Sequence, residues 1–373
     1  MNFVRFSGFA FITTLGASLG AQACSPTADI AQEIDSGAQQ MGAPDSGGMT
    51  TATSDSGSGG SSSGGASGSS SGGSSSDSGS TSDGGTTDSG GPSANVAVLF
   101  GGANSTDTLG DTWLWNGSWT QVSPATTPGA RSDASGATLG GTPTLFGGYV
   151  GANAGNDTWT WNGTTWNQVS ATGPSPRIDA AMASLGGTLL LFGGEDPPDN
   201  TPADTWLWNG SSWAQQSAFF QYSGIGWSAT SFQSTVDMVS GNALYAWSGS
   251  GWNGQAYPGG PSNSGGAAAA TLGNTIVVFG GVSNDGFEAV AQTWTFDGTN
   301  WTLQSVAGPP ARAYASMVTV GDKVVLFGGE NDDTGIGQPA EYLGDTWTWD
   351  GSSWTQVQGP GPGARSRATM MAY

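Results

Sequence analysis

The chain has 373 residues with a net charge of −21, only 9% charged residues, 65 glycines, one cysteine and no histidine. So acidic a chain repels the phosphates of nucleic acids and anionic lipids. The missing histidines remove the usual general base and the commonest metal ligand, and a lone Cys24 excludes an internal disulfide or a thiolate zinc cluster.

Residues 1–23 read as a secretory signal. Arg5 is the one charge ahead of a short apolar stretch, Phe6 to Ala21, and Ala21-Gln22-Ala23 precedes Cys24. A cysteine at the cleavage point is where bacterial lipoproteins receive lipid, so Cys24 is the expected attachment site. Ala21 stands where a lipoprotein signal usually has Leu, which keeps open a soluble secreted product. Residues 24–94 are Ser, Gly, Asp and Thr with almost no large apolar side chain. Such a segment cannot offset its own ordering entropy and is expected to be a flexible tether, with a root-mean-square reach of about 45 Å.

From residue 95 the chain repeats itself. The phrase aromatic–x–aromatic–Asn/Asp–Gly–x–x–Trp occurs at Trp159–Trp166, Trp206–Trp213, Trp294–Trp301 and Trp347–Trp354. A copy shorter by one residue runs Trp113–Trp119, and a worn one runs Tyr245–Trp252. Together the six copies hold 16 of the 17 tryptophans and leave out Trp227. Leu/Val-Phe-Gly-Gly recurs at Leu99–Gly102, Leu145–Gly148, Leu191–Gly194, Val278–Gly281 and Leu326–Gly329, with a damaged copy near Met238–Gly241.

Each unit reads as four short strands. A first strand of small residues (Ala180 to Ala183; Ala267 to Ala270) turns through two or three residues into a second, Leu189 to Phe192 in the third unit. A longer loop leads to the third strand, and Asn-Gly or Asp-Gly predicts a tight hairpin to the fourth. Six such units describe a β-propeller. The repeat region begins at a second strand, Val96–Phe100, and ends at a first strand, Arg365 to Met371, so the two chain ends are expected to build one blade and close the ring.

The Phe-Gly-Gly phrases, the Asp-Thr-Trp phrases at Asp111, Asp157, Asp204 and Asp345, and the Pro-x-x-Arg links ending at Arg131, Arg177, Arg312 and Arg365 make residues 95–373 resemble a bacterial Kelch-repeat propeller, similar to the central domain of galactose oxidase. The resemblance implies an all-β, six-bladed fold and binding through loops; fold alone does not imply function. Galactose oxidase chemistry needs histidines on copper and does not carry over. The fourth unit departs from the pattern: it lacks Gly-Gly, has almost no second-to-third loop, and Gly224 and Asn263 stand where arginines are expected.

Second-to-third loops and unit-to-unit links should share one face, where functional residues collect. The repeated arginines Arg131, Arg177, Arg312 and Arg365 either pair with carboxylates or carbonyls between blades, or rim the channel mouth and receive a ligand. Trp227, outside the pattern, is a candidate exposed contact. Glu195, Asp196 and Asp199, or Glu330, Asp332 and Asp333, offer oxygens to Ca²⁺, but without EF-hand spacing; solvated loops are the plainer reading. The sequence thus predicts a monomeric, non-catalytic propeller without cofactor. It is expected at the cell envelope, touching membrane only through lipid on Cys24, not binding nucleic acid, and meeting a protein or glycan with its long-loop face. The alternatives are a carboxylate-dependent enzyme acting on polysaccharide and a structural envelope component with no small ligand.

Overall fold

Two-residue glycine turns organise the chain into hairpins. Leu139 pairs with Thr142 and Leu185 with Thr188, across Gly140-Gly141 and Gly186-Gly187, all four at positive φ. Both central residues of such a turn need that conformation, which glycine adopts without penalty. In the computed structural model, which describes residues 94–169, 171–197, 200–217, 226–283, 288–331 and 340–373, these hairpins belong to an all-β structure with no helix among the described residues. The signal, Cys24 and nearly all of the expected tether lie outside them.

Six antiparallel four-stranded sheets carry the fold. The first combines Ala97–Phe100, Thr112–Trp115 and Trp119–Val122 with the C-terminal strand Thr369–Ala372, in the register Ala97–Ala372 to Phe100–Thr369. The two ends of the repeat region therefore do share a sheet. The second runs from Ser135–Leu139 to Trp166–Val169, the third from Ala181–Leu185 to Trp213–Gln216, and the fourth from Ser228–Phe232 to Trp252–Ala256. The fifth runs from Ala268–Leu272 to Trp301–Gln304 and the sixth from Ser316–Val320 to Trp354–Val357. This arrangement is compatible with a β-propeller.

The buried apolar side chains form six clusters, each shared by two consecutive sheets; one joins the sixth sheet to the first through Val325, Phe327, Leu99 and Met370. Tryptophan dominates these layers because one indole covers what several aliphatics would. The first Trp of each fourth strand meets the Phe of the preceding sheet edge-on, with centroids 5.3 Å apart for Phe100–Trp166 and Phe146–Trp213 and 5.0 Å for Phe192–Trp252. Its indole N–H donates to a threonine of that same sheet: Trp119 to Thr346, Trp166 to Thr112, Trp213 to Thr158, Trp252 to Thr205 and Trp354 to Thr293. The fourth sheet breaks the rule. Val239 and Leu244, paired with each other, occupy the Phe and Thr positions, and the Trp301 indole packed there has no hydrogen-bond partner.

Neighbouring first strands are tied by hydroxyls. Thr369 donates to the Ala134 carbonyl, Ser135 to Ala180, Ser231 to Ser184, Thr271 to Ser231, Thr319 to Thr271 and Ser316 to Ala368. These bonds cross every junction between consecutive sheets and that between the sixth and the first. Small side chains on these strands thus do more than save space. Room is nonetheless tight: a Cβ on Gly136 would sit 2.3 Å from Thr369 Cγ2, so glycine lets the methionine-bearing terminal strand fit.

The Asn-Gly and Asp-Gly hairpins are wider than the two-residue glycine turns. Trp208 pairs with Trp213, leaving four residues between, and only Gly210 of the Asn-Gly pair has positive φ. Asn209 acts through its side chain, whose Oδ1 accepts from the Ser211 and Ser212 amides, and Asp350 does the same for Ser352 and Ser353.

Candidate functional site

The four repeated arginines lie in buried clasps between sheets. Arg131 donates from Nη1 to the Gly147 carbonyl and forms a two-pronged pair with Asp157, at 2.8 and 2.9 Å. Arg177 does so with Gly193 and Asp204, Arg312 with Gly328 and Asp345, and Arg365 with Gly101 and Asp111. The carbonyl of each arginine faces the other way, accepting from the second glycine of the preceding Gly-Gly: Gly102 to Arg131, Gly148 to Arg177, Gly281 to Arg312, Gly329 to Arg365. Adding a Cβ to Gly101 would bring it to 2.4 Å from the Arg131 carbonyl oxygen, so the glycine is needed for the approach. The arginine side chains are 0–3% exposed, which removes them from the surface as candidate ligand contacts.

Each paired aspartate also accepts from the indole two residues on, as Asp157 does from Trp159. Burial pushes these carboxyls up, but bonds from arginine and tryptophan outweigh it and hold all four below the usual carboxylate range. In the fifth sheet, Asn263 and Gln292 replace the ion pair. Asn263 still donates to the Gly280 carbonyl, and Gln292 still accepts from the Trp294 indole. Gly224 lies outside the described residues.

Two residues after each arginine the chain turns into left-handed backbone. Asp133, Asp179, Tyr314 and Arg367 have φ of 57°, 52°, 54° and 58°, and Gly226 and Gly266 fill the same role with 66° and 65°. For residues with a Cβ this conformation costs about 1–3 kcal/mol each and is concentrated at functional sites. A chain of amide-to-carbonyl bonds runs through the series, from Asp179 to Asp133, Asp133 to Arg367, Arg367 to Tyr314, Tyr314 to Gly266 and Gly266 to Gly226. One position from each of the six sheets or their links is thereby brought to one place.

These six positions line a cavity of about 140 Å³, with Trp227 as a further wall. Its two arcs are unlike. On one, Arg367 bonds Asp133 at 2.9 Å and Glu330 at 3.3 Å, and its guanidinium lies 3.8 Å above the centre of the Tyr314 ring. Ser132 braces Asp133, and Ser366 braces Glu330. The other arc, Gly226 and Gly266, offers only backbone. Trp227, the candidate contact outside the repeat pattern, is half-buried and stacks on Tyr245, with the planes 5° apart and the centroids 5.3 Å apart. Next to it the fourth sheet has a two-residue turn, Gly241-Asn242, in place of a long loop.

Electrostatics single out Asp179. Burial, the Asp133 charge, a hydrogen bond to Asp133 and the Glu195 charge push its carboxyl well above the usual range, against Arg367. Burial also raises Tyr314. Arg367 stays firmly charged, because Asp133, Asp179 and Glu330 overcome the effect of burial. Two of the acids weighed as Ca²⁺ ligands belong to this network: Glu330 through Arg367, and Glu195 through its charge at Asp179. Asp199, Asp332 and Asp333 lie outside the described residues. Among the described residues no group of three or more acidic side chains is placed to hold a metal ion.

Comparison with models of known protein families finds no match, and comparison with curated proteins finds none.

Proposed function

We propose that residues 95–373 form a six-bladed Kelch-type propeller, its ring closed by the two chain ends, that serves as a non-catalytic binding module. Lipid on Cys24 holds it at the bacterial cell envelope, and residues 24–94 tether it there. The partner is a protein or glycan met by the long-loop face. The observation that carries this reading is the cavity where one position from each sheet converges, lined by aromatic, acidic and basic side chains. Concave sites of this make-up are the default place for recognition.

Non-catalytic use is favoured by how the acids are spent. Asp111, Asp157, Asp204 and Asp345 are engaged by arginine, and Asp133 and Glu330 by Arg367 and serines. The intact chain should bind one envelope protein or glycan saturably, and Trp227→Ala should weaken that binding by about tenfold or more. A polysaccharide turnover assay should show no product. Hydrolysis abolished by Asp133→Asn would replace this reading with an enzymatic one. In cells, Cys24→Ser should move the protein from the membrane to the soluble fraction; retention in the membrane would remove the lipid anchor.

A further inference from the structure

We infer that the central cavity is a binding site for an organic ammonium group, such as the end of a lysine side chain, seated between the Asp179 carboxyl and the Trp227 ring. The inference rests on the binding reading above and names the ligand chemistry of the same site.

Charge pairing decides the ligand's sign. Every arginine among the described residues is already matched: Arg131, Arg177, Arg312 and Arg365 in the clasps, and Arg367 by Asp133 and Glu330 together. An anionic ligand would have to displace one of these carboxylates. Asp179 is the reverse case. It lines the cavity, yet no arginine or lysine of the described residues forms an ion pair with it. The groups facing it are Asp133, Glu195, Arg367 and the Tyr314 phenol, so negative charge exceeds positive there. The upward push on the Asp179 carboxyl favours its protonated form, which relieves this excess. A ligand cation can replace that proton, leaving the carboxylate paired and one proton released to solvent.

The rest of the cavity suits an organic cation better than a bare metal ion. Asp133 already accepts from Ser132 and Arg367, and among the described residues no group of three or more acidic side chains is placed to hold a metal ion. Trp227 presents an indole, the strongest aromatic partner for a cation. Its ring is fixed by stacking on Tyr245 and by Phe192, whose centroid is 6.4 Å away. Gly226 and Gly266 leave their side of the wall free of side chains. A volume of 140 Å³ holds about four or five waters at roughly 30 Å³ each, room for an ammonium head and its first methylenes.

The test uses the intact chain and three probes: Nα-acetyl-lysine amide, its Nε-acetylated counterpart, which keeps the shape without the charge, and glucose. Calorimetry in buffers of different ionisation enthalpy should show millimolar binding of the charged probe alone, accompanied by proton release. Affinity should fall as the pH is lowered. Asp179→Asn keeps the shape of the site and should cost about tenfold or more in affinity and abolish the proton release. Trp227→Leu, with Asp179 intact, should weaken binding while leaving the proton release in place. Equal binding of the acetylated probe, binding indifferent to Asp179→Asn, or no binding of the charged probe would each overturn the proposal. If the ammonium probe fails while a protein or glycan partner still binds, only the ligand assignment falls. If neither binds, the binding reading falls as well.

Discussion

Removing the last nine residues, Arg365 to Tyr373, will abolish cooperative thermal unfolding. The truncation strips Thr369–Ala372 from the first sheet and uncovers Ala97–Phe100, a strand with all four residues at 0–1% exposure. It also deletes Met370 and Met371 from two separate inter-sheet layers. Loss of a buried methionine side chain costs about 2–5 kcal/mol, and Asp111 in addition loses its Arg365 partner. A domain commonly has only about 5–15 kcal/mol in all. The exposed apolar edge is in addition a template for pairing with other chains. Differential scanning calorimetry and light scattering should show a broad, low-enthalpy transition and aggregation. A sharp transition at the original temperature would refute closure of the fold by its ends.

Asp204→Asn is the second large effect, about 3–5 kcal/mol of destabilisation, because Arg177 would be left charged and almost fully buried. The substitution keeps the indole contact of Trp206 but loses the charge that matches the guanidinium. Urea titration at neutral pH should report it. The pH dependence has a definite sign. A carboxyl lowered by folding contributes stability above its unfolded value, about 3.9. That contribution disappears as the pH falls through the lower, folded value. The variant should therefore lose most at neutral pH and approach the parent protein in strong acid. An equal deficit at all pH values would assign the cost to packing rather than charge.

The sequence makes the architecture legible where most units carry the same residue for the same reason. Gly-Gly recurs because a carbonyl lies against it, Trp because each inter-sheet layer needs its area, and arginine because four junctions hold a clasp. The spacing showed that Arg131, Arg177, Arg312 and Arg365 repeat, but left their role divided between ion pairing and ligand contact; their burial against Asp157, Asp204, Asp345 and Asp111 favours the first. The candidate site was hidden for the opposite reason. Asp133, Asp179, Gly226, Gly266, Tyr314 and Arg367 share a place and a backbone conformation, not an identity. A search for recurring residues passes over them. For Asp133, Asp179, Tyr314 and Arg367 the usable signal is the offset of two from the arginine; Gly226 and Gly266 follow no arginine. The hydroxyl ties between first strands were missed because Ser and Thr look like small residues until a carbonyl is found opposite them.

Asn263 and Gln292 show how a duplicated module can change without breaking. Relative to its siblings this junction has given up a cation and its counter-anion together, while the links to the Gly280 carbonyl and the Trp294 indole survive. Surrendering either member alone would strand an ion away from water. Change at such a junction is therefore constrained to matched steps: it tolerates both ionic partners or neither, and its neutral contacts bridge the change.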